Sequence, residues 1–498
     1  MYRNIAFINF LPRFYLLIIL IAYCYCSEAA GQNFEWVKSL GTPKNDNFYN
    51  KETNTAVDSG GNGYISISGT IKQDSIFVDG QFFEFLRDST RGGLMKVNAK
   101  GKPIRLLQGD IKQPFLENDT SLWFLAKSPF NFKDDSLKLN DTTIFLERDS
   151  GNYLFNTDTA YNYLNHYSVN NGEYLVTDSF IFFRRVRIIK KINKANGKSL
   201  KTRVFSGLAQ RITFPFLFNI DHQKKLIFAT GYTSPSAGIN TDSFVFNGNT
   251  YGGNQFVVTY DFNLNELDVA TFSISKALDS GPNSYPIVKS AQLTDKNQLF
   301  LTGEWYPPGK TIAKCFVALL NKNFELQWAI QNKVVDTSPT YSQVLNSTLD
   351  VDQGFLYILG SYSGKITLDG FEFPVFPRPA NIPSFFRVSN TLIAKLDTLG
   401  NVIWIFGTVQ SSGTKNVELD SNLNVYFAGT FQNKFVAAVD TVFSAGRSDI
   451  FLAKVSDLSL RRDTNLAAAY CAGDSIMVSF RTEGRVIDSS LFRLQISD

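Results

Sequence analysis

The chain has 498 residues and a formal net charge of +4; only 19% of its residues are charged, whereas 45 Phe and 21 Tyr make it rich in aromatic side chains. This composition favours strands joined by turns over helices, and four Cys in the whole chain exclude a disulfide scaffold. The small net charge provides no global field for nucleic acid or an acidic membrane surface.

The first 31 residues have the layout of a secretory signal peptide. Basic residues precede an apolar run over residues 14–22, and small residues follow at 29–31. The bulky Tyr23 and Tyr25 stand where a lipobox requires small residues, which favours a cleaved signal over a lipid anchor. No later apolar run reaches the roughly 20 residues that span a bilayer. We therefore expect a secreted or cell-surface protein without membrane insertion.

The segment 32–463 is built from repeats. A short apolar strand after a polar turn, ending near Gly, recurs at residues 56–70, 218–232, 291–305, 348–362 and 417–431. An alternating segment with Asp or Asn near a turn and a hairpin around a polar turn follow it in each clear unit. Each unit thus supplies about four strands, which is the number in one blade of a β-propeller.

Seven units begin near residues 54, 120, 171, 217, 290, 347 and 416, and those at 120 and 171 are degenerate. The sequence therefore predicts an all-β propeller of about seven four-stranded blades, with six as the alternative. Alternating segments such as residues 64–68 and 426–429 are interpreted as half-buried strands.

The segment Phe34–Val37 has no blade before it, and its Trp36 matches the Trp that ends the clear units at Trp328 and Trp404. The last unit ends near residue 462 without a Trp strand of its own. We therefore expect the strand around Trp36 to complete the last blade and close the ring.

After residue 463 the repeat stops, and residues 464–498 offer two or three strands at most. A stable sandwich needs about seven strands, so we expect a linker and an incomplete β-sandwich-like module.

The repeats resemble the SBBP-type β-propeller repeats of exported Bacteroidetes proteins. The resemblance rests on three segments, 56–69, 392–404 and 451–455, and covers about residues 33–462. The tail is similar to the opening of the immunoglobulin-like modules that follow such propellers in cargo of the type IX secretion system. The resemblance implies no shared catalytic residues.

The residues provide no constellation for catalysis, metal binding or a cofactor. His166 and His222 stand alone, no nucleotide-binding loop is present, and no Asp-rich turn has the EF-hand spacing. Asp residues recur beside turns, and we interpret them as turn-stabilising because a catalytic pair would be unique within the ring. The recurrent residues are Asp58, Asp350, Asp397 and Asp420. Cys315 and Cys471 are either two free thiols or one bridge.

Two loops rich in aromatic residues and Pro are the candidate contact surfaces. They contain the candidate binding residues Trp305, Tyr306, Phe376, Arg378, Phe385 and Phe386. The alternative for both loops is packing over a neighbouring blade. The basic stretch 184–203 is interpreted as an exposed hairpin with a solvated face rather than a nucleic-acid site.

The sequence thus predicts a non-catalytic secreted propeller, with no cofactor, that acts as an adhesion, scaffold or ligand-binding module for an unknown protein or glycan. The alternative is an extracellular polysaccharide hydrolase or lyase that uses the propeller channel.

Overall fold

The structure is a computed structural model of the chain. It describes these residues: 34–41, 53–68, 75–78, 81–84, 92–108, 111–127, 136–139, 142–145, 152–159, 163–169, 173–185, 188–204, 212–221, 224–233, 243–246, 249–252, 255–278, 286–306, 313–334, 341–350, 354–373, 390–408, 411–412, 416–431, 434–437, 440–444, 449–456, 459–462 and 480–483. The signal-peptide segment lies outside them.

The fold is an all-β propeller of seven blades, each a four-stranded antiparallel sheet whose strands we name A to D from the innermost outward. Blades 1 to 3 comprise Thr55–Val57, Gly63–Ser68, Gly92–Val97 and Pro103–Gln108; Ile111–Asn118, Ser121–Lys127, Asn152–Asp158 and Tyr163–Val169; Glu173–Val176, Phe180–Arg185, Ile188–Asn193 and Ser199–Val204. Blades 4 and 5 comprise Ile212–Asp221, Leu226–Thr233, Gln255–Asp261 and Glu266–Phe272; Pro286–Leu293, Leu299–Trp305, Lys314–Leu320 and Leu326–Gln331. Blades 6 and 7 comprise Tyr341–Asp350, Phe355–Ser363, Asn390–Leu396 and Val402–Thr408; Val417–Leu419, Val425–Phe431, Asp449–Val455 and Phe34–Gly41.

Extra hairpins lie between strands B and C of five blades: Ser75–Val78 with Gln81–Glu84, Ser136–Leu139 with Thr142–Phe145, Ser243–Phe246 with Asn249–Gly252, Ile366–Leu368 with Phe371–Glu372, and Lys434–Ala437 with Asp440–Phe443. Two of them bridge neighbouring blades. The hairpin of blade 1 pairs with strand D of blade 7, and that of blade 6 pairs with Lys333–Val334 after blade 5. Ser411–Ser412 also pairs with strand B of blade 7.

Strands B and C are buried on both faces, because each blade is covered by a neighbour on either side. Leu299–Trp305, Asn390–Leu396 and Val425–Phe431 are buried at every residue. The interpretation of residues 64–68 and 426–429 as half-buried strands is therefore wrong: both segments belong to strand B, and their described side chains are buried whichever way they point.

The degenerate units become regular once the strands are seen. Blade 2 begins at Ile111 rather than near residue 120, because residues 121–127 form its strand B. The C–D hairpin of this blade is formed by Asn152–Asp158 and Tyr163–Val169. The basic stretch supplies strands C and D of blade 3.

The strand Phe34–Gly41 pairs antiparallel with Asp449–Val455 and is strand D of blade 7. The ring is therefore closed by the first described strand of the chain, around Trp36, as the sequence predicts. The indole Nε1 of Trp36 donates a hydrogen bond of 2.9 Å to Ala99 O in the C–D turn of blade 1. Trp328 of blade 5 makes the equivalent bond, 3.1 Å long, to Thr398 O of blade 6.

Outside the propeller, Ser459–Arg462 pairs with Phe480–Glu483 in a two-stranded sheet. The rest of the predicted tail module lies outside the described residues. The one helix of the described part, Ile274–Ala277, is a single turn, so no helix there has the length and hydrophobicity to cross a membrane.

Candidate functional site

The recurrent carboxylates hold turns. Asp58 Oδ1 accepts a hydrogen bond of 2.8 Å from the Asn62 backbone N–H, and Asp397 Oδ1 accepts one of 2.8 Å from that of Asn401. Asp420 is bonded in the same way to Asn424. These three residues therefore have the turn role that the sequence indicates. Asp350 is the last residue of strand A in blade 6, and the turn after it lies outside the described residues.

A second pattern, which the sequence analysis missed, borders the central channel. In three blades an Asn stands four residues before the turn Asp: Asn346 lies in strand A, whereas Asn54 and Asn416 immediately precede it. The signal for this pattern in the sequence is the spacing N-x-x-x-D. This spacing is too short to stand out unless the blades are aligned. The channel lies beside this position because strands A are the innermost and contact one another from blade to blade.

Two of these residues, Asn346 and Asn416, form a belt of hydrogen bonds across the inner strands. Asn346 Nδ2 donates to Asn416 Oδ1 at 2.7 Å, and Asn416 Nδ2 donates to Thr55 O at 2.7 Å. Between blades 5 and 6 the belt continues through the Ser290 and Ser347 hydroxyls, 2.8 Å apart. The belt therefore joins four consecutive blades, from blade 5 through the seam between blades 7 and 1.

Glu418 is the residue of this wall that departs from the repeat. It stands two residues before the turn Asp, where blades 1, 5 and 6 have Ala56, Gln292 and Thr348. The next positions across the sheet are alike in blades 6 and 7, where the register aligns Tyr357 with Lys395 and Tyr426 with Lys454. Repeated residues serve the fold of every blade, and a carboxyl is not repeated at this position in blades 1, 5 and 6, so Glu418 is a candidate for a specific role.

Burial raises the pKa of Glu418 to about 7, and a hydrogen bond of 2.6 Å from Asn416 Nδ2 to its Oε1 acts in the opposite direction. Its side chain is half-buried. A carboxyl with such a pKa exchanges its proton near neutral pH, as either a general acid or a binding group would.

Among the described residues, no group of three His, Cys, Asp or Glu side chains could hold a metal ion. His222 and Cys471 lie outside them, and His166 is in strand D of blade 2 opposite Phe155. Cys315 is buried, and burial raises the pKa of its thiol to about 11.

The predicted contact residues fall into three groups. The prediction of Trp305 as a contact residue on a loop is wrong. Trp305 is the last residue of strand B in blade 5, is 4% exposed and packs in the core between blades 4 and 5. Its register opposite Lys314 extends the strand up to the Pro-rich loop, so its ring is not on that loop. Tyr306 follows it and is half-buried. The remaining residues of the prediction lie outside the described part of the chain: Phe376, Arg378, Phe385 and Phe386.

Part of the basic stretch has a structural role. Lys191 Nζ donates to Asn263 Oδ1 at 3.0 Å, and Lys201 Nζ donates to Asn265 Oδ1 at 2.7 Å. Arg203 Nε donates to Leu264 O at 2.8 Å. All three bonds hold the C–D turn of blade 4. In blades 5 and 7 a Trp of strand D makes the corresponding bond to the C–D turn of the next blade. The hairpin is exposed at residues 195–200, 202 and 203, in agreement with the interpretation from the sequence, whereas Lys191 is buried.

No protein-family model matches the chain, and no curated protein matches it. Among solved structures, a DUF4221 family member from Bacteroides vulgatus is similar, with 8% identity, a TM-score of 0.33, and coverage of 85% of this chain and 98% of that one. A protein of unknown function from Bacteroides caccae has 7% identity, a TM-score of 0.29, and coverage of 54% and 93%. The WD40 repeats of RRP9 have 8% identity, a TM-score of 0.38, and coverage of 81% and 100%.

Proposed function

We propose that this protein is an exported, non-catalytic β-propeller that binds a protein or glycan outside the cell through the face that carries its B–C connections. The observation that carries the proposal is the placement of the insertions. In an antiparallel sheet the B–C connections leave from the edge opposite to the A–B and C–D turns. All five extra hairpins, and both predicted contact loops, are B–C connections and so emerge on one face.

Exposed aromatic side chains on this face support the proposal. Phe443, on the hairpin of blade 7, is 70% exposed, and Phe371, on that of blade 6, is 37% exposed. Aromatic side chains supply large contact area at low entropic cost, which suits them to recognition. The opposite face consists of the tight Asp- and Asn-held turns.

The test is binding of the purified chain on glycan and protein arrays. Phe443→Ala and a variant with residues 374–386 shortened are expected to lose a hit that the parent chain gives. Leu399→Ala is the matched control, because Leu399 is 75% exposed on the opposite face. A hit lost by the control and kept by both B–C variants would reject this face.

The export of the protein and its relationship to the SBBP-type repeats belong to the same proposal. Support for them is the signal-peptide layout of the first 31 residues and the repeated motifs at 56–69 and 392–404. Detection of the mature chain in the culture medium or at the cell surface, beginning near residue 32, would test the export.

A channel hydrolase or lyase is the second candidate, and Glu418 is the observation in its favour. A glycosidase needs two carboxyls, and each shifts the pKa of the other when they lie close together. The pKa of Glu418 is raised by burial, with no contribution from a charged side chain among the described residues. This favours a binding role. Release of reducing ends from polysaccharides by the parent chain, abolished in Glu418→Gln, would favour the enzyme.

A further inference from the structure

Polar groups on the innermost strands of blades 7 and 1, at the seam between these blades, are only partly hydrogen-bonded within the described residues. Thr55 is 1% exposed, and its hydroxyl Oγ1 has no hydrogen-bond partner there. The carboxyl of Glu418 has one partner, Asn416 Nδ2, on Oε1. Leaving a buried hydroxyl unbonded costs about 1–3 kcal/mol, so the group marks a place where something else is expected to bind.

Cross-strand register places both side chains in the space between blades 7 and 1. Glu418 is opposite Tyr426, whose hydroxyl donates to Gly61 O of blade 1 at 3.1 Å, so this side of the sheet faces blade 1. Thr55 is opposite Ile65, which packs with Tyr426, so it faces blade 7. Asn416 Nδ2 lies between them, 2.7 Å from Thr55 O and 2.6 Å from Glu418 Oε1.

Among the described residues, the carboxyl has no charged partner. The basic group farther out in the same row, Lys454, is 2.6 Å from Glu35 and 3.8 Å from Asp420, and Tyr426 separates it from Glu418. On the blade 1 side, the residues beyond Thr55 are the apolar Ile65 and Met95. An ionised carboxylate in such surroundings is stabilised most by a cation that also donates hydrogen bonds.

We propose that Glu418 and Thr55 form a binding site between the inner strands of blades 7 and 1 for a primary ammonium group, such as that of an amine or of a lysine side chain. The ammonium group donates to the Glu418 carboxylate and to Thr55 Oγ1, and its charge compensates that of the carboxylate. This site goes beyond the proposed contact face, because it lies between the inner strands of two blades and uses none of the B–C connections.

The donor set distinguishes an ammonium group from an inorganic cation. Ca²⁺ takes six to eight oxygen ligands and Mg²⁺ takes six, whereas one carboxylate and one hydroxyl meet here, and the neighbouring Asn416 directs N–H groups rather than oxygen at this point. An ammonium group has three donors and needs only directional acceptors. A neutral hydroxyl group would leave the carboxylate charge uncompensated.

Isothermal titration calorimetry of the purified chain at pH 8 tests the site with three probes: propylammonium chloride, propanol and KCl at matched ionic strength. We expect saturable binding of propylammonium, none of propanol, and no displacement of propylammonium by KCl. At pH 5 the binding weakens at least about tenfold, because Glu418 is then protonated and no other charged group in the described part of the chain contributes to its pKa.

Glu418→Gln, which keeps the shape and removes the charge, is expected to weaken propylammonium binding at least about tenfold. Thr55→Val tests the hydroxyl independently, should the first variant fold poorly. Glu372→Gln is the matched control, because Glu372 is exposed and paired with Lys365 in blade 6. Equal binding of propanol, displacement by KCl, absence of saturable binding, or unchanged affinity in both site variants would each overturn the proposal.

Discussion

Gly101 lies against the indole ring of Trp36, and a Cβ atom at position 101 would stand 2.8 Å from Cδ2 of that ring. Gly101 also has a φ of +75°, a backbone conformation that residues other than glycine rarely adopt. The residue belongs to the C–D turn of blade 1, whereas Trp36 belongs to strand D of blade 7. A strand contributed by the beginning of the chain is thus locked against a turn of the first blade, and the same contact joins Trp328 to Gly400 between blades 5 and 6.

Gly101→Ala is therefore expected to lower the free energy of unfolding by about 2–4 kcal/mol, from backbone strain together with displacement of the Trp36 ring. Gly370→Ala separates the two effects, because Gly370 has a φ of +83° and a Cβ there would meet nothing within 4 Å. We expect that control to cost about 1 kcal/mol. The measurement is the urea midpoint of unfolding, and equal losses in the two variants would contradict the contact.

The basic side chains of blade 3 are expected to stabilise the ring rather than to bind nucleic acid. Arg203→Ala removes the bond to Leu264 O and should cost about 1 kcal/mol. Lys198→Ala, at an exposed residue of the same hairpin, should change stability by less than about 0.5 kcal/mol. Thermal unfolding measures both. Equal destabilisation would show that charge in general, and not the bond to blade 4, matters at this hairpin.

The fold was predictable because it rests on repetition. The Trp of strand D and the Asp of the turns recur at fixed places, and Trp36 carried enough of the pattern to place the closing strand. Trp305 was misplaced because an aromatic residue before Tyr306 and two Pro has the composition of a loop, whereas strand B of its blade continues through it.

The site formed by Glu418 and Thr55 was not predictable from the sequence. Glu418 and Thr55 are separated by most of the chain and meet only because the ring closes between blades 7 and 1. Each belongs to a short strand, and Glu418 is distinguished only by comparison with Ala56, Gln292 and Thr348 after the blades have been aligned. The belt of Asn side chains was encoded locally, but its bonds join neighbouring blades.

Cys315 is expected to resist alkylation in the native protein. Its side chain is fully buried, and a thiol whose pKa is about 11 holds almost no thiolate at pH 8. Iodoacetamide at pH 8, applied after treatment with reductant and followed by mass spectrometry, should leave the peptide containing residue 315 unlabelled. The same treatment in 8 M urea, about the usual denaturing condition, should label it fully. Labelling at equal rates in both conditions would show that this strand opens readily.

The stability of the propeller should depend on pH through Glu418. Its pKa rises from 4.5 to about 7 on folding, so between these values the native state holds more protons than the unfolded state, and the free energy of unfolding falls as pH rises. Glu418→Gln removes this loss. The variant should therefore gain stability over the parent chain at pH 8, on the order of 1–3 kcal/mol, and gain little at pH 4.5, where the carboxyl is protonated in the native state and about half protonated in the unfolded state.

Urea midpoints at pH 4.5, 6 and 8 measure this dependence. Glu372→Gln should show no comparable trend, because its carboxylate is exposed and paired on the surface. If the difference between Glu418→Gln and the parent chain is the same at all three pH values, the carboxyl is not desolvated at the seam. In that case the folded protein does not disfavour its charge, and a cationic ligand would gain nothing from neutralising it. A stability difference between the variant and the parent chain that grows from pH 4.5 to pH 8 would show that the folded protein disfavours the charge of Glu418. This carboxyl is the group that the proposed cationic ligand contacts.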